Sequence, residues 1–320
     1  MSAIGFLSVL VIRSLGDPVF EGDRSVVTIG AYDGLHRGHI AVISSVVERA
    51  QKVGQHSAVV TFDRHPASVV RPESAPLLIT SLEQRIELLR DTGLDAVVVL
   101  EFDEVAASEE AEDFINRVFV DGLAASEIIV GEDFHFGRGR RGNVEMLSRI
   151  GREHDFVVTP LSLRTTEKSE VISSTAIRAA LRRGDLDGAS NMLGRTVTIS
   201  GRVVHGDERG RTIGFPTANV DVNERFILPA DGVYAAWCLT EAGGRYSCAV
   251  NIGKRPTFYG NADRSLVECH LLDFSGDLYD QVLTVEFADR LRDEQRFDGL
   301  EALTTQLQTD VARAREIARL

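Results

Sequence analysis

The 320-residue chain is 43% hydrophobic and 26% charged, a balance that can bury sizeable cores and excludes a wholly disordered or fibrous protein. Its 35 basic against 48 acidic side chains leave a net charge of −13. That excludes the basic stripe of a non-specific nucleic-acid binder but leaves room for a locally positive pocket that takes a small anion.

Residues 3–12 are apolar, yet no basic segment precedes them and Arg13 and Asp17 follow. They are predicted as a first strand rather than a signal peptide. Residues 26–30 read as a strand and 38–53 as a helix, with Ile40, Ile43, Val46 and Val47 at helical spacing. Strands are predicted next at 57–62, 96–102, 127–130 and 156–160, with helices at 81–91, 111–120, 143–154 and 174–183. Short apolar strands alternating with helices imply a parallel sheet covered on both faces. From 196 to 287 the pattern changes to short runs rich in Val, Ile, Tyr and Thr. Turn residues punctuate them at 206–210, 221–223, 242–244 and 259–263, as in an antiparallel barrel or sandwich. Residues 297–320 close the chain as one amphipathic helix bearing Leu300, Leu303, Leu307, Val311, Ala314 and Ile317. The change of pattern near Asp187 divides the chain into domains 1–187 and 188–320.

No run reaches the ~18–20 apolar residues of a membrane span. Cys238, Cys248 and Cys269 are odd in number and lack C-x-x-C spacing, so neither a disulfide framework nor a zinc site is expected. A cytoplasmic protein without a membrane or nucleic-acid partner is the expectation. Composition leaves the oligomeric state open.

The strongest local signal runs from Thr28 to His39, TIGAYDGLHRGH, after a strand and opening a helix. Gly30, Gly34 and Gly38 permit a tight turn, Asp33 lies within it, and His36 and His39 share one side of the first helical turn. Backbone N–H groups and the positive end of the helix dipole join them there, a combination suited to phosphate. Downstream, ISSTAIR (172–178) offers Ser173, Ser174 or Thr175 as a helix cap and Arg178 in the first turn. Taken alone it is a helix cap; paired with the histidines it is a phosphate clamp. TFDRHP (61–66) contributes Phe62, His65 and Pro66, and GEDFHFG (131–137) contributes Asp133, Phe134 and Phe136. These aromatics either stack a flat heterocycle or belong to the core.

In the second half, GRTIGFPTAN (210–219) sets Gly210 before Thr217 and Asn219, whose hard oxygens suit Mg²⁺. No Walker-type P-loop is present. Glu268 lies on a strand within VECHLLD (267–273), and Arg292 opens RDEQRF (292–297), where it meets either phosphate or a surface acid.

These segments together resemble the prokaryotic bifunctional riboflavin kinase/FMN adenylyltransferase family from about Val26 to Phe297. The resemblance implies a Rossmann-like nucleotidylyltransferase α/β domain, followed by an antiparallel β-barrel riboflavin kinase domain with a C-terminal helix. It also implies two activities: riboflavin and ATP give FMN and ADP, then FMN and ATP give FAD and pyrophosphate. In the kinase, Thr217 and Asn219 would hold Mg·ATP and Glu268 would be the general base. In the adenylyltransferase, His36, His39, Gly30, Asp33, Gly34, Gly38, Ser174, Thr175 and Arg178 would surround the triphosphate. Phe62, His65, Pro66, Asp133, Phe134, Phe136 and Arg292 would meet the flavin substrates. The sequence departs from the family at Tyr32, where Phe is common, and at Arg64, where Pro is common. The alternatives are a chain with one activity retained, a class I aminoacyl-tRNA synthetase sharing the histidine motif, and a non-enzymatic flavin or nucleotide sensor.

Overall fold

The computed structural model describes residues 9–161, 172–206, 209–254 and 265–319. Part of the predicted first strand (3–8), part of the turn at 206–210 and the turn at 259–263 lie outside the described residues. The chain divides into two units, Met1–Ser174 and Thr175–Leu320.

The first unit is built on β1 (Leu10–Ile12), β2 (Ser25–Ile29), β3 (His56–Phe62), β4 (Ala96–Leu100), β5 (Ala125–Gly131) and β6 (Val157–Leu161). They form one parallel sheet in the order β1–β4–β3–β2–β5–β6. Every residue of β2 and β4 is buried, as expected where helices cover both faces. Successive side chains sort between those faces. Val26, Val59 and Val97 pack with Val42, Ile43 and Val46 of α1 (Arg37–Val53) and with Ile86 and Leu89 of α2 (Leu82–Arg90). Val27, Ala58 and Val98 pack with Phe114 and Ile115 of α3 (Ala111–Ile115) and with Leu147 and Ile150 of α4 (Val144–Glu153). From β2 the chain steps to β3 and β4, then returns to place β5 on the other side of β2. Beyond the carboxyl end of β2 therefore lies the point where strand order reverses, the usual ligand position in open α/β sheets.

The predicted helix 111–120 is only partly α-helical. After Ile115 the chain continues in wider i→i+5 turns over Asn116–Gly122, a geometry used in short pieces. A Cβ on Gly122 would lie 2.9 Å from the Arg117 carbonyl and 3.2 Å from Leu15, so the turn closes only around glycine.

The second unit begins with α5 (Ser174–Arg182), whose first residue belongs to the first unit, and α6 (Leu186–Leu193). The contact division thus falls after Ser174, ahead of the pattern change at Asp187. Six strands follow: β7 (Thr198–Val204), β8 (Ala218–Asp221), β9 (Gly232–Thr240), β10 (Arg245–Lys254), β11 (Ser265–Leu271) and β12 (Val282–Arg292). All pairs are antiparallel and close a barrel in the order β8–β11–β10–β9–β12–β7. Alternation along β9 sends Val233 and Ala235 toward α7 (Leu300–Ile317), where they meet Ala314 and Ile317. Tyr234, Ala236 and Cys238 face the opposite way and are fully buried.

An ion pair pins α7 to the barrel. Arg292 Nε lies 3.1 Å from both carboxylate oxygens of Asp310 and its NH2 lies 2.8 Å from one of them. Asp310 is 3% exposed and also accepts from Gln306 Nε2 at 2.9 Å. Removing one partner of a buried pair leaves the other uncompensated. Asp310→Ala is expected to lower the stability of the barrel unit by about 3–5 kcal/mol, read from its transition in a urea melt. The double change Arg292→Leu with Asp310→Leu should recover most of that loss. An unchanged midpoint in Asp310→Ala would show that the pair contributes nothing.

Candidate active sites

The segment from Gly30 to His39 leaves β2 at the strand-order reversal, and its turn is held by backbone geometry and by Asp33. Gly34 has φ +82° and packs so closely on Ile79 that a Cβ would sit 3.0 Å from that side chain. The Asp33 carboxylate accepts the N–H of Ile79 at 3.0 and 3.1 Å and that of Thr80 at 3.0 Å. Thr80 Oγ1 in turn accepts the Gly34 N–H at 2.9 Å. Asp33, expected from the motif near phosphate, anchors the 79–80 segment through its buried carboxylate. Gly30 lies against the Tyr32 ring, which a Cβ there would approach to 3.2 Å. The Tyr32 hydroxyl lies 2.7 Å from Thr28 Oγ1, which satisfies the polar atom that this departure adds. Burial raises that phenol above its ordinary value.

His36 caps α1 by accepting the His39 N–H on its Nδ1 at 3.2 Å. That bond assigns the proton of the neutral ring to Nε2. The two imidazoles stack, with centroids 3.6 Å apart and planes 17° from parallel. Gly38 makes the stack possible, since a Cβ there would lie 3.2 Å from the His36 ring. Burial, followed by His36 and Arg85, pushes His39 well below the ordinary histidine value, so it stays neutral at physiological pH. Its Nδ1 is buried without a hydrogen-bond partner.

Arg85 of α2 was not legible as a site residue. It is 4% exposed and donates to the Ala31 carbonyl and, at 2.6 Å, to the Phe62 carbonyl. It therefore joins the chain leaving β2 to the chain leaving β3. Its position on a helix that sequence reads as an ordinary amphipathic face hides this role.

The segment after β3 holds Phe62 edge-on to Phe102 at 5.3 Å, half-buried against the core. His65 Nδ1 accepts the Ala67 N–H at 3.1 Å, and Pro66 precedes the single turn Ala67–Val70. Arg64, the other departure, pairs with Asp63 at 2.7 Å. In the loop after β5, Asp133 is exposed and Phe134 half-buried, stacked on Phe136 at 5.2 Å. Phe136 itself is corrected to a core residue: it is buried in the same apolar cluster as Phe114 and lies so close to Gly142 that a Cβ there would approach its ring to 2.6 Å.

Ser174 Oγ donates to the Asp33 carbonyl at 2.8 Å, fastening the start of α5 to the glycine turn. Thr175 follows in the helix, and Arg178 within it is buried.

In the barrel, Asn219 and Asn251 both stand directly opposite Glu268, on the two strands that flank β11. Residues paired in this way share a face. Val267 and Cys269 are buried within the barrel, so alternation turns Glu268 outward. Gly206 and Gly210 close in on this row. A Cβ on Gly206 would lie 2.3 Å from Asn219 Nδ2, and one on Gly210 would lie 2.3 Å from the Phe215 carbonyl and 3.6 Å from Thr217 Oγ1. Thr217 is exposed. Two neighbours were missed from sequence. His270 Nδ1 donates to the Pro216 carbonyl at 2.7 Å and so orients the chain entering Thr217; standing two residues after Glu268 was its signal. Glu294 packs against Gly253, and its carboxyl is raised by burial, then by Asp231, with Glu268 adding to the shift. Arg292, assigned to the flavin by the family resemblance, has its guanidinium engaged by Asp310 in a buried pair rather than a surface one.

The neutral state of His39 has a measurable consequence. Its folded pKa lies below the unfolded value, so the unfolded chain binds the proton first as pH falls. Stability from this residue is complete above about pH 6.5 and falls below it by up to about 1.4 kcal/mol per pH unit. An NMR titration should leave the His39 ring unprotonated at pH 6, and a midpoint near 6.5 would refute the neutral assignment.

Family models match both units: FAD synthetase over residues 21–176 and riboflavin kinase over residues 193–318. The bifunctional riboflavin kinase/FMN adenylyltransferase of Pseudomonas fluorescens is 42% identical over 309 residues, 96% of this chain and 97% of the relative. The Bacillus subtilis protein of the same name is 37% identical, over 91% of each chain. A crystal structure described as a macrolide-efflux protein from Streptococcus pneumoniae superposes with a TM-score of 0.82 at 31% identity, covering 96% of this chain and 98% of that one. With both family models matched and identity maintained across nearly its whole length, the chain belongs to the bifunctional riboflavin kinase/FMN adenylyltransferase family.

Proposed function

We propose that the barrel unit phosphorylates riboflavin with ATP to give FMN and ADP, and that the α/β unit joins FMN to a second ATP to give FAD and pyrophosphate. The observation that carries this reading is the in-register row of Asn219, Glu268 and Asn251 beside the Thr217 loop. It supplies one carboxylate where phosphoryl transfer needs a base, with neutral polar groups on either side. Glu268 takes the proton of the terminal ribityl hydroxyl as that oxygen attacks the γ-phosphorus. His270 holds the Pro216 carbonyl and so sets the approach of Thr217. Thr217 and Asn219 present hard oxygens beside glycine backbone, a donor set that fits Mg²⁺; when bound, the ion neutralises phosphate charge.

In the α/β unit the FMN phosphate is the nucleophile and is already anionic at neutral pH, so no strong base is needed. His36 and His39, the α1 N-terminus and Ser174 donate to the phosphates as pyrophosphate leaves. Phe62, His65, Pro66 and Phe134 are assigned to the flavin side.

The efflux description attached to the Streptococcus pneumoniae structure does not extend to this chain. Among the described residues no helix is long and apolar enough to cross a membrane, and the substrates proposed are small molecules. The three unpaired cysteines suit the reducing cytoplasm.

The test measures both half-reactions, with riboflavin, FMN, ATP and Mg²⁺, in two variants. Glu268→Gln should lose ~10²–10⁴-fold in FMN formation and keep FAD formation from supplied FMN. His39→Ala should lose ~10²–10³-fold in FAD formation and keep riboflavin phosphorylation and FMN affinity. Full kinase activity in Glu268→Gln would remove that carboxylate from the mechanism, and equal loss of both activities in His39→Ala would break the two-site assignment.

A further inference from the structure

Three strands of the barrel bring three thiols together on its inner face. Cys238 of β9, Cys248 of β10 and Cys269 of β11 are each fully buried, and their sulfur atoms all lie within 4.8 Å of one another. The register explains the arrangement. Cys238 stands opposite Tyr246, Cys248 opposite Ala236 and Leu271, and Cys269 opposite Val250. Each cysteine is therefore diagonal to the next, two residues along the neighbouring strand, within reach on a shared face.

We propose that this trio binds a trivalent thiophilic metalloid, with arsenite as its simplest source. Geometry supplies the first argument. Three sulfurs bonded to one centre at about 2.3 Å, a typical metal–thiolate length, stand about 3.5 Å apart in the pyramidal set that the lone pair of trivalent arsenic imposes, inside the observed limit. Coordination number supplies the second. Among the described residues no His, Asp or Glu joins the three sulfurs, so a tetrahedral zinc site lacks its fourth ligand.

Charge supplies the third. The residues paired with the three cysteines (Tyr246, Ala236, Leu271, Val250 and Val285) carry no charge, and a net charge in such surroundings is costly. Burial pushes the Cys248 thiol well above its ordinary value. A monovalent or divalent ion on three thiolates would leave negative charge in the barrel, whereas trivalent arsenic leaves none. Arsenous acid and three thiols give As(SR)₃ and three waters. Three As–O bonds break and three As–S bonds form, each thiol proton leaves on a hydroxide as water, and no oxidation state changes.

The experiment uses the full chain, reduced with a phosphine and then titrated with sodium arsenite. Native mass spectrometry should find one arsenic per chain with three hydrogens lost, and thermal melting of the barrel should move upward because the adduct ties β9, β10 and β11 together. Cys238→Ala, Cys248→Ala and Cys269→Ala should each remove one As–S bond and weaken binding by at least about 10–100-fold, the loss typical even of outer-shell partners. The wild-type hydrogen count decides the matter even where a variant fails to fold. Absence of an adduct, loss of only two hydrogens, or undiminished binding in any folded single variant would overturn the site.

Discussion

The Asp33 carboxylate sits at 2% exposure in the turn after β2, where its oxygens accept backbone N–H groups from Ile79 and Thr80. Its carbonyl accepts the Ser174 hydroxyl, so one residue joins three stretches of chain that are remote in sequence. Hydrogen bonds to an ionised acceptor are about twice as strong as neutral ones, which makes this the firmest point of the glycine turn. Arg85 complements it from the first turn of α2, reaching the Ala31 and Phe62 carbonyls. Burial works against the charge on Arg85, while Asp33 and then Asp63 work for it. The loop that presents His36 and His39 is thus clamped by its own buried carboxylate and by one guanidinium from the neighbouring helix. Neither clamp residue needs to touch a ligand to matter.

The barrel achieves its order differently, through the period of its strands. On β11 alternate residues serve opposite sides: Glu268 and His270 face the row that includes Asn219, while Val267, Cys269 and Leu271 fill the interior. A one-residue slip of that strand would exchange the two sets at once. Register is therefore enforced by the same burial that assembles the thiols. It is also what keeps the polar row in line.

Much of this was legible in the sequence, and for identifiable reasons. Period-two and period-3.6 patterns located the parallel sheet, the barrel and α7, because burial on defined faces imposes those periods. The turn after β2 was legible because glycine at Gly34 answers a backbone requirement that few other residues meet. Helix α6 was missed although its signals were present: Leu186, Ala189 and Leu193 repeat at helical spacing between an Asp185 cap and Gly194. The roles of Asp33, Arg85 and Arg292 were not legible, since each depends on a partner far along the chain. Arg292 is the clearest case. The family resemblance of its segment suggested a ligand, while Asp310, on a helix farther along the chain, engages the guanidinium. The cysteine trio escaped for the same reason, because cross-strand diagonals leave no fixed spacing.

The two units place different demands on protonation. A ribityl alcohol must lose a proton to attack phosphorus, so the barrel needs a carboxylate near the reacting oxygen, and Glu268 stands in a row of neutral amides. A phosphate monoester is anionic before it reacts, and the difficulty becomes bringing two anions together. Histidine cations would suit that task, yet His39 is held neutral by burial, then by His36 and Arg85. The positive charge of Arg85 is itself spent on backbone carbonyls. Donation from uncharged N–H groups is then what the α1 start provides: the neutral His39 ring beside the backbone amides of the first helical turn. Backbone amides retain their geometry and protonation across the pH range in which a free histidine would titrate. A site organised in this way gives up long-range attraction for the triphosphate and gains fixed dipoles where negative charge grows.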